Sequence, residues 1–130
     1  MRITAPVVLA ALSALAMVAA GADEPLSYAT AVRPIFEKEC GDCHGPKRPK
    51  KGLNLLGSDA VAAMLERPSQ NEPQVVLVKA GDPAASYLWR KLAHTHAEGK
   101  GMPRGLFTAS KLPQEQIDLV ARWIQQGARP

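Results

Sequence analysis

Apolar residues recur at helical spacing in several short stretches of the chain, most regularly near its C-terminus. That stretch begins at Pro113 and reaches Gly127, a residue suited to the C′ position after a helix. Its apolar positions follow the i, i+3, i+4, i+7 pattern of one helix face: Ile117, Val120, Ala121 and Ile124. The pattern predicts an amphipathic helix that begins at Pro113 and ends before Gly127.

A second apolar stripe occupies residues 27–40, just before a cysteine pair. Its positions at helical spacing are Tyr28, Val32, Ile35, Phe36 and Cys40. Ser27 is suited to be the N-cap. Pro34 interrupts the stripe, so the helix either kinks there or begins its regular part near Arg33 with Pro34 in its first turn. We expect this helix to end at Gly41.

A third helix is predicted behind Ser58, whose side chain is a candidate N-cap for the good helix formers that follow it. We expect this helix to reach Arg67, since Pro68 cannot continue it. The next segment, 71–79, is dense in valine and has the local composition of a strand. Because no second convincing strand exists to pair with it, an extended loop is the preferred interpretation.

A fourth helix is predicted after the turn that contains Asp82 and Pro83. Asp82 suits the N-cap and Pro83 the first helical position, and the apolar side of this helix extends to Ala93. Long loops at 45–57 and 94–110 separate the helices. The fold class predicted is therefore all-α, with four short helices joined by long loops, and such loops need a common object to pack against.

The N-terminal stretch from Ile3 to Ala22 carries no charge and ends in small residues. This is the layout of a secretory signal, and we expect cleavage after Ala22. The alternative is an uncleaved anchor, because about 20 apolar residues can span a bilayer. With cleavage, residues 1–22 are a signal peptide, and residues 23–130 are one small domain exported to the periplasm with no stable membrane span.

The mature domain has a modest charge and few aromatic residues. The whole chain carries a formal charge of +4, and removing Arg2 lowers it to +3, too little to indicate a nucleic-acid binder. Two Phe, two Tyr and two Trp give a domain of this size little aromatic surface for a core. We therefore expect something other than side chains to help fill the core.

The chemistry of the chain is concentrated in Cys40-Gly41-Asp42-Cys43-His44. This is the C-x-x-C-H pattern of covalent haem attachment, in which two thiols form thioethers to the porphyrin and the histidine binds the iron. The spacing suits two sulfurs that reach one ring edge while the next side chain lies beneath the metal. We predict one haem c, bound through Cys40 and Cys43, with His44 as the proximal iron ligand. A porphyrin also supplies the missing apolar core surface.

Three other interpretations of the cysteine pair remain open. A thioredoxin-like dithiol needs a β-α-β context, whereas the residues before Cys40 have a helical pattern. A zinc site would recruit Cys40 and Cys43 with His94 and His96, although one residue between the histidines is short of the usual spacing. A surface disulfide would close only a very small loop and stabilise little.

The second axial position of the iron has several candidate ligands. Met102 lies 58 residues after His44 in a loop rich in Gly and Pro, which lets the backbone cross a haem face closely. A thioether ligand favours ferrous iron and raises the reduction potential. His94 and His96 are the competing ligands, and an open site is the third alternative. We predict Met102 as the distal ligand.

A basic cluster directly follows the motif. It consists of Lys47, Arg48, Lys50 and Lys51. By default this is a solvated loop, but beside an exposed haem edge it would attract an acidic redox partner protein. We expect a monomeric electron carrier rather than an enzyme. The alternative is a haem-containing enzyme or sensor subunit with an open or displaceable distal site.

The order of these motifs resembles class I c-type cytochromes, particularly the planctomycete-type cytochrome c domain family. The matching segments span nearly all of residues 26–128: Val32 to Phe36, Cys40 to Gly45, Lys51 to Leu55, Gly81 to Leu88, Gly101 to Pro103 and Leu112 to Gly127. The resemblance implies a small cytochrome c-like fold wrapped around one haem, with the first and last helices packed together. It also implies Met102 as the distal ligand, by match to the Met-Pro motif of the family.

Overall fold

The computed structural model describes residues 24–105 and 110–130, and the predicted signal peptide lies outside the described residues. The described chain is mostly helical, as the predicted all-α class requires. Its elements are a π-helical turn (Tyr28–Val32), α1 (Arg33–His44), a 3-10 turn (Lys50–Gly52), α2 (Ala60–Met64), α3 (Tyr87–Ala93) and α4 (Gln114–Gln125). None of these helices is long and apolar enough to cross a membrane.

The first helical segment combines two kinds of helix. The hydroxyl of Ser27 accepts a hydrogen bond from the Thr30 amide at 3.3 Å, which confirms the predicted N-cap. A π-helical turn follows, and regular α-helix begins at Arg33 with Pro34 in its first turn. Of the two predicted outcomes for Pro34, the later start is the correct one, because proline's missing amide costs nothing in a first turn.

The predicted end of this helix at Gly41 is wrong. Helix α1 continues to His44 and is capped by Gly45. A β-carbon at Gly41 would lie 3.3 Å from Cδ1 of Leu56, so glycine serves close packing here. A β-carbon at Gly45 would collide with the carbonyl oxygen of Gly41, and the backbone leaves the helix there in an extended conformation. The whole cysteine motif therefore lies in the last turns of α1.

The last helix forms as predicted and is closed by a Schellman motif. Gly127 has a φ of +102°, and its amide donates to the Ile124 carbonyl at 2.9 Å. The amide of Ala128 donates to the Trp123 carbonyl at 2.9 Å, which completes the motif. The chain after α4 also bonds to the first turn, since the Tyr28 amide donates to the Arg129 carbonyl at 2.8 Å.

An aromatic cluster joins the two ends of the described domain. The Tyr28 ring lies 5.5 Å from that of Trp123 in α4 and 6.0 Å from that of Phe36 in α1, measured between centroids. All three side chains are buried. Such tilted and edge-on pairs are favourable beyond the area they bury. The π-helical turn thus packs against α4, and α4 packs in turn against α3.

Helix α2 is shorter than predicted, and Ser58 does not cap it. The residue at the N-cap is Asp59, and the helix ends at Met64 because Leu65 turns to an extended conformation. The backbone then pairs with the valine-rich segment: the Glu66 amide donates to the Val78 carbonyl at 3.1 Å. Isolated bridges join Leu65 to Val78 and Pro68 to Val76. The predicted extended segment therefore has a partner over 75–78, whereas 71–74 form bends and turns. These bonds replace the helical bonds expected up to Arg67.

Helix α3 also begins later than predicted, at Tyr87 rather than Pro83. Asp82 caps only a turn, in which its carboxylate accepts from the Ala85 amide at 3.0 Å. Ser86 then adopts an extended backbone and is fully buried. Its hydroxyl donates to the Asp82 carbonyl at 2.8 Å and accepts from the Lys79 amide at 2.9 Å. These bonds stabilise a turn between Asp82 and Ser86, so the helix begins only at Tyr87.

Candidate functional site

The predicted site residues line two adjoining cavities at the end of α1. Cys40, His44 and Met102 line one cavity beside α1, which we call the inner cavity. The same three residues, together with Cys43, line a wider adjoining cleft, which we call the outer cleft. Both spaces are partly open to solvent. Cys40 and His44 are four residues apart on the helix, so both face the same side. The fold therefore brings all four predicted residues to one continuous space.

The inner cavity has mostly apolar walls. They come from α1, from the loop after the motif, and from the region around α3: Phe36, Leu53, Leu55, Leu77, Leu88 and Leu92. Several of these side chains are also members of the hydrophobic core. A ligand in this space would cover apolar side chains and complete the core.

Cationic and amide side chains line one part of the same cavity. They are Lys51, Arg67, Gln70, Asn71 and Lys91. Two of the amides are held by other groups, since Gln70 donates to the Lys51 carbonyl at 2.9 Å and Asn71 to the Tyr87 hydroxyl at 3.2 Å. The cavity thus suits a large apolar ligand that also carries negative charge.

His44 is held in one orientation by the loop that follows it. Its Nδ1 lies 3.1 Å from the carbonyl oxygen of Leu53. A carbonyl can only accept, so Nδ1 carries the proton and Nε2 carries the free lone pair. The Leu55 amide also donates to the His44 carbonyl, at 2.7 Å. This is the arrangement in which a histidine is prepared to bind a metal through Nε2.

The two cysteines are free thiols that differ in environment from a redox pair. Burial raises the pKa of the Cys40 thiol to about 12, with smaller contributions from the neighbouring Glu39 and Cys43. A redox-active dithiol requires a depressed thiol pKa. The β-α-β context of the dithiol alternative is also missing, since the described residues contain isolated bridges but no strand.

Met102 is half-buried and is tied to α3 through its backbone. Its amide donates to the Lys91 carbonyl at 3.0 Å. The preceding Gly101 is buried directly against the imidazole of His94, where a β-carbon would collide with the ring. The loop therefore passes over the C-terminal end of α3 and carries Met102 into the cavity wall.

His94 and His96, the competing ligands, are not part of the lining of the site, although the His94 ring packs against Gly101, next to Met102. Neither lines the inner cavity or the outer cleft. His94 is the C-cap of α3, and His96 bonds through Nε2 to the Gly99 carbonyl at 2.9 Å. Within residues 24–105 and 110–130, no group of three or more His, Cys, Asp or Glu side chains is placed to hold a metal ion. The zinc alternative therefore finds no ligand set in the described chain.

Lys91 and Arg67 line this site but are not among the site residues predicted from the sequence. Lys91 is a lysine on the apolar side of α3, four residues after Tyr87 and three after Leu88. A cation within an apolar stripe was the available indication, because charged residues are seldom buried without a partner. Arg67 gave no comparable indication, since its position depends on the bridges that end α2 early.

Comparison of the chain with protein-family models, curated proteins and solved structures finds no match.

Proposed function

We propose that the protein is an exported monohaem c-type cytochrome that carries electrons between partner proteins. The observation that carries this proposal is the hydrogen bond from His44 Nδ1 to the Leu53 carbonyl, which directs Nε2 as a lone-pair donor. That histidine lies beside two free thiols, of which Cys40 lines the apolar inner cavity and both line the outer cleft. Together these features match the chemical requirements of covalent haem attachment.

The residues of the site fit haem c in their donor chemistry. Cys40 and Cys43 would hold the porphyrin through thioethers, and His44 and Met102 would ligate the iron. When bound, the haem iron supplies one-electron chemistry between the ferrous and ferric states. The leucine-rich walls would contact the apolar faces of the ring, and Lys51 and Arg67 suit the carboxylates of a porphyrin.

The proposal extends to the fold and the working place of the protein. A small cytochrome c-like fold around one haem accounts for the long loops at 45–57 and 94–105, which border the cavity and the cleft. Cleavage after Ala22 would release the domain into the periplasm. Rigid ligation by His44 and Met102 would keep the geometry similar in both redox states, which suits an electron carrier.

The partner is proposed to be a redox protein with an acidic surface. Lys50, Lys51 and Arg104 line the outer cleft beside Cys43, and the neighbouring Lys47 and Arg48 are exposed. The cleft also has two acidic residues, Glu39 and Asp42, on the α1 side. The basic side of the opening would therefore attract and orient a negatively charged partner, with a rate that falls as salt increases.

The central test is covalent haem attachment. The full chain, coexpressed with the haem-attachment machinery, should gain the mass of one haem and retain it after denaturation. Cys40→Ser with Cys43→Ser should abolish this gain. The matched control is Asp42→Asn, which changes an exposed residue inside the motif and should leave attachment intact. A wild-type chain that acquires no haem mass would refute the proposed function.

A further inference from the structure

Lys91 is a buried cation in the wall of the inner cavity. The residue is 7 % exposed, although lysine is among the residues least often buried without a partner. The ion pairs of the described residues involve other side chains: Arg33 with Glu37, Lys38 with Glu39, and Lys79 with Glu66. Among the described residues Lys91 has no ion-pair partner, so neutral groups must stabilise its buried charge.

The partners of the Lys91 ammonium group are backbone carbonyls of the loop that leads to Met102. Nζ donates to the carbonyl of Glu98 at 2.9 Å and to that of Lys100 at 3.0 Å. It also lies 5.3 Å from the centroid of the Tyr87 ring, which adds a cation–π contact. Hydrogen bonds from a charged donor are stronger than those between neutral groups.

The same residue holds the loop a second time through its backbone. The Lys91 carbonyl accepts from the Met102 amide at 3.0 Å. Gly99 lies between the two carbonyls that the ammonium group binds, and it adopts a φ of +80°. A β-carbon at Gly99 would lie 3.3 Å from Nζ, so the loop curls closely around the cation. Residues 98–102 are thus fixed to one residue of α3.

We infer that Lys91 is a positioning residue that holds Met102 in place for iron ligation. This inference rests on the proposed function. The loop from 95 to 105 contains no regular element, so its own backbone provides little order. A neutral aliphatic side chain at position 91 would fill the same volume but could not bind two carbonyls. The buried charge of Lys91 thus orders the loop that carries Met102.

Imidazole competition on the holoprotein tests this inference. Imidazole binds iron in place of a weak thioether ligand, so its apparent affinity reports how firmly Met102 is held. Lys91→Met should raise that affinity by about tenfold, which corresponds to about 1.4 kcal/mol, and should lower the reduction potential. Hydrogen exchange of the amides of residues 98–102 should become faster in the same variant.

Lys100→Met is the matched control. It removes the same charge from an exposed side chain in the same loop, while its carbonyl remains available to Lys91. The imidazole affinity of this variant should stay within about twofold of wild type, under 1 kcal/mol by the same conversion. A shift of equal size in both variants would overturn the inference, because loss of charge alone would then explain it.

Two further results separate failure of the inference from failure of the proposed function. If Lys91→Met carries covalent haem but binds imidazole as wild type does, Lys91 does not position Met102, while haem attachment stands. If Lys91→Met does not accumulate, Lys91→Gln replaces it, since its shorter, uncharged amide weakens the bonds to the Glu98 and Lys100 carbonyls but remains polar. A Lys91→Gln holoprotein with wild-type affinity and potential would also overturn the inference.

Discussion

At the scale of single residues, His44 and Met102 differ in how firmly hydrogen bonds hold them. His44 is held by two hydrogen bonds to the loop at 53–55, one through the ring and one through the backbone. Met102 is held only through its amide and the loop around it. We therefore expect the histidine ligand to be the fixed one and the methionine ligand to be the one that substitutions and small molecules displace.

Met102→Ala tests this difference directly. In the proposed cytochrome it should lower the reduction potential, because a thioether favours ferrous iron, and should give a high-spin spectrum in the oxidised form. Lys100→Ala, an exposed substitution in the same loop that lines neither the inner cavity nor the outer cleft, is the control and should change neither property. An unchanged potential in Met102→Ala would point to His94 or His96 as the ligand. High-spin iron in the wild-type protein would favour the enzyme or sensor alternative.

At the scale of elements, hydrogen bonds from side chains decide where helices begin. Ser86→Ala should lower the free energy of unfolding by about 1–3 kcal/mol, because it removes the two hydrogen bonds that the fully buried Ser86 hydroxyl makes with the Lys79 amide and the Asp82 carbonyl. Ser58→Ala is the matched control, since this exposed serine caps no helix, and it should cost less than about 0.5 kcal/mol. Urea denaturation of both variants measures the difference, and equal midpoints would contradict the role given to Ser86.

The sequence predicts the long, regular elements well and the short ones poorly. The apolar stripes with Ser27, Pro34 and Gly127 place α4 and the start of α1 correctly, because periodicity and local caps determine them. The end of α1 is missed because Gly41 serves contact with Leu56, a residue distant in sequence. Helices α2 and α3 are shortened by bridges to the segment 75–78 and by the buried Ser86, which are also tertiary effects.

For the site, too, the sequence predicts some features and not others. The motif from Cys40 to His44 and the position of Met102 are readable from the sequence as predictions of chemistry. The bond from His44 to Leu53 and the cations at the cavity wall are not, because they require loops to meet across the fold. Local patterns therefore indicate which atoms are available, and tertiary packing determines their surroundings.

At the scale of the whole molecule, Tyr28 connects segments from across the chain. Its ring packs against α1 and α4, its amide bonds to Arg129, and its hydroxyl donates to the Leu55 carbonyl. Burial raises the pKa of the Tyr28 hydroxyl from 10.0 to about 12, with nearby Arg33 lowering it and Cys40 raising it by smaller amounts. The folded protein therefore holds this proton more tightly than the unfolded chain does.

The sign of the resulting pH dependence follows from linkage. Stability from this group is fully present below pH 10 and is lost as pH rises toward 12, because only the unfolded chain ionises over that range. Tyr28→Phe removes the ionising group, so the stability advantage of wild type over the variant should shrink between pH 10 and 12. Urea denaturation of both proteins across this range measures it, and a difference that stays constant with pH would contradict the prediction.

The packing of α3 on α4, and of α4 on the turn that leads into α1, has a consequence for the proposed cytochrome. His44 is the last residue of α1, whereas Met102 is hydrogen-bonded through its amide to Lys91 in α3. The distance between the two proposed ligands therefore depends on how α1, α4 and α3 pack together. Trp123, in α4 between the other two helices, lines neither the inner cavity nor the outer cleft. A change in the size of Trp123 would alter the distance between His44 and Met102 in the proposed cytochrome. The reduction potential could therefore be changed at the helix interface while both ligands stay the same.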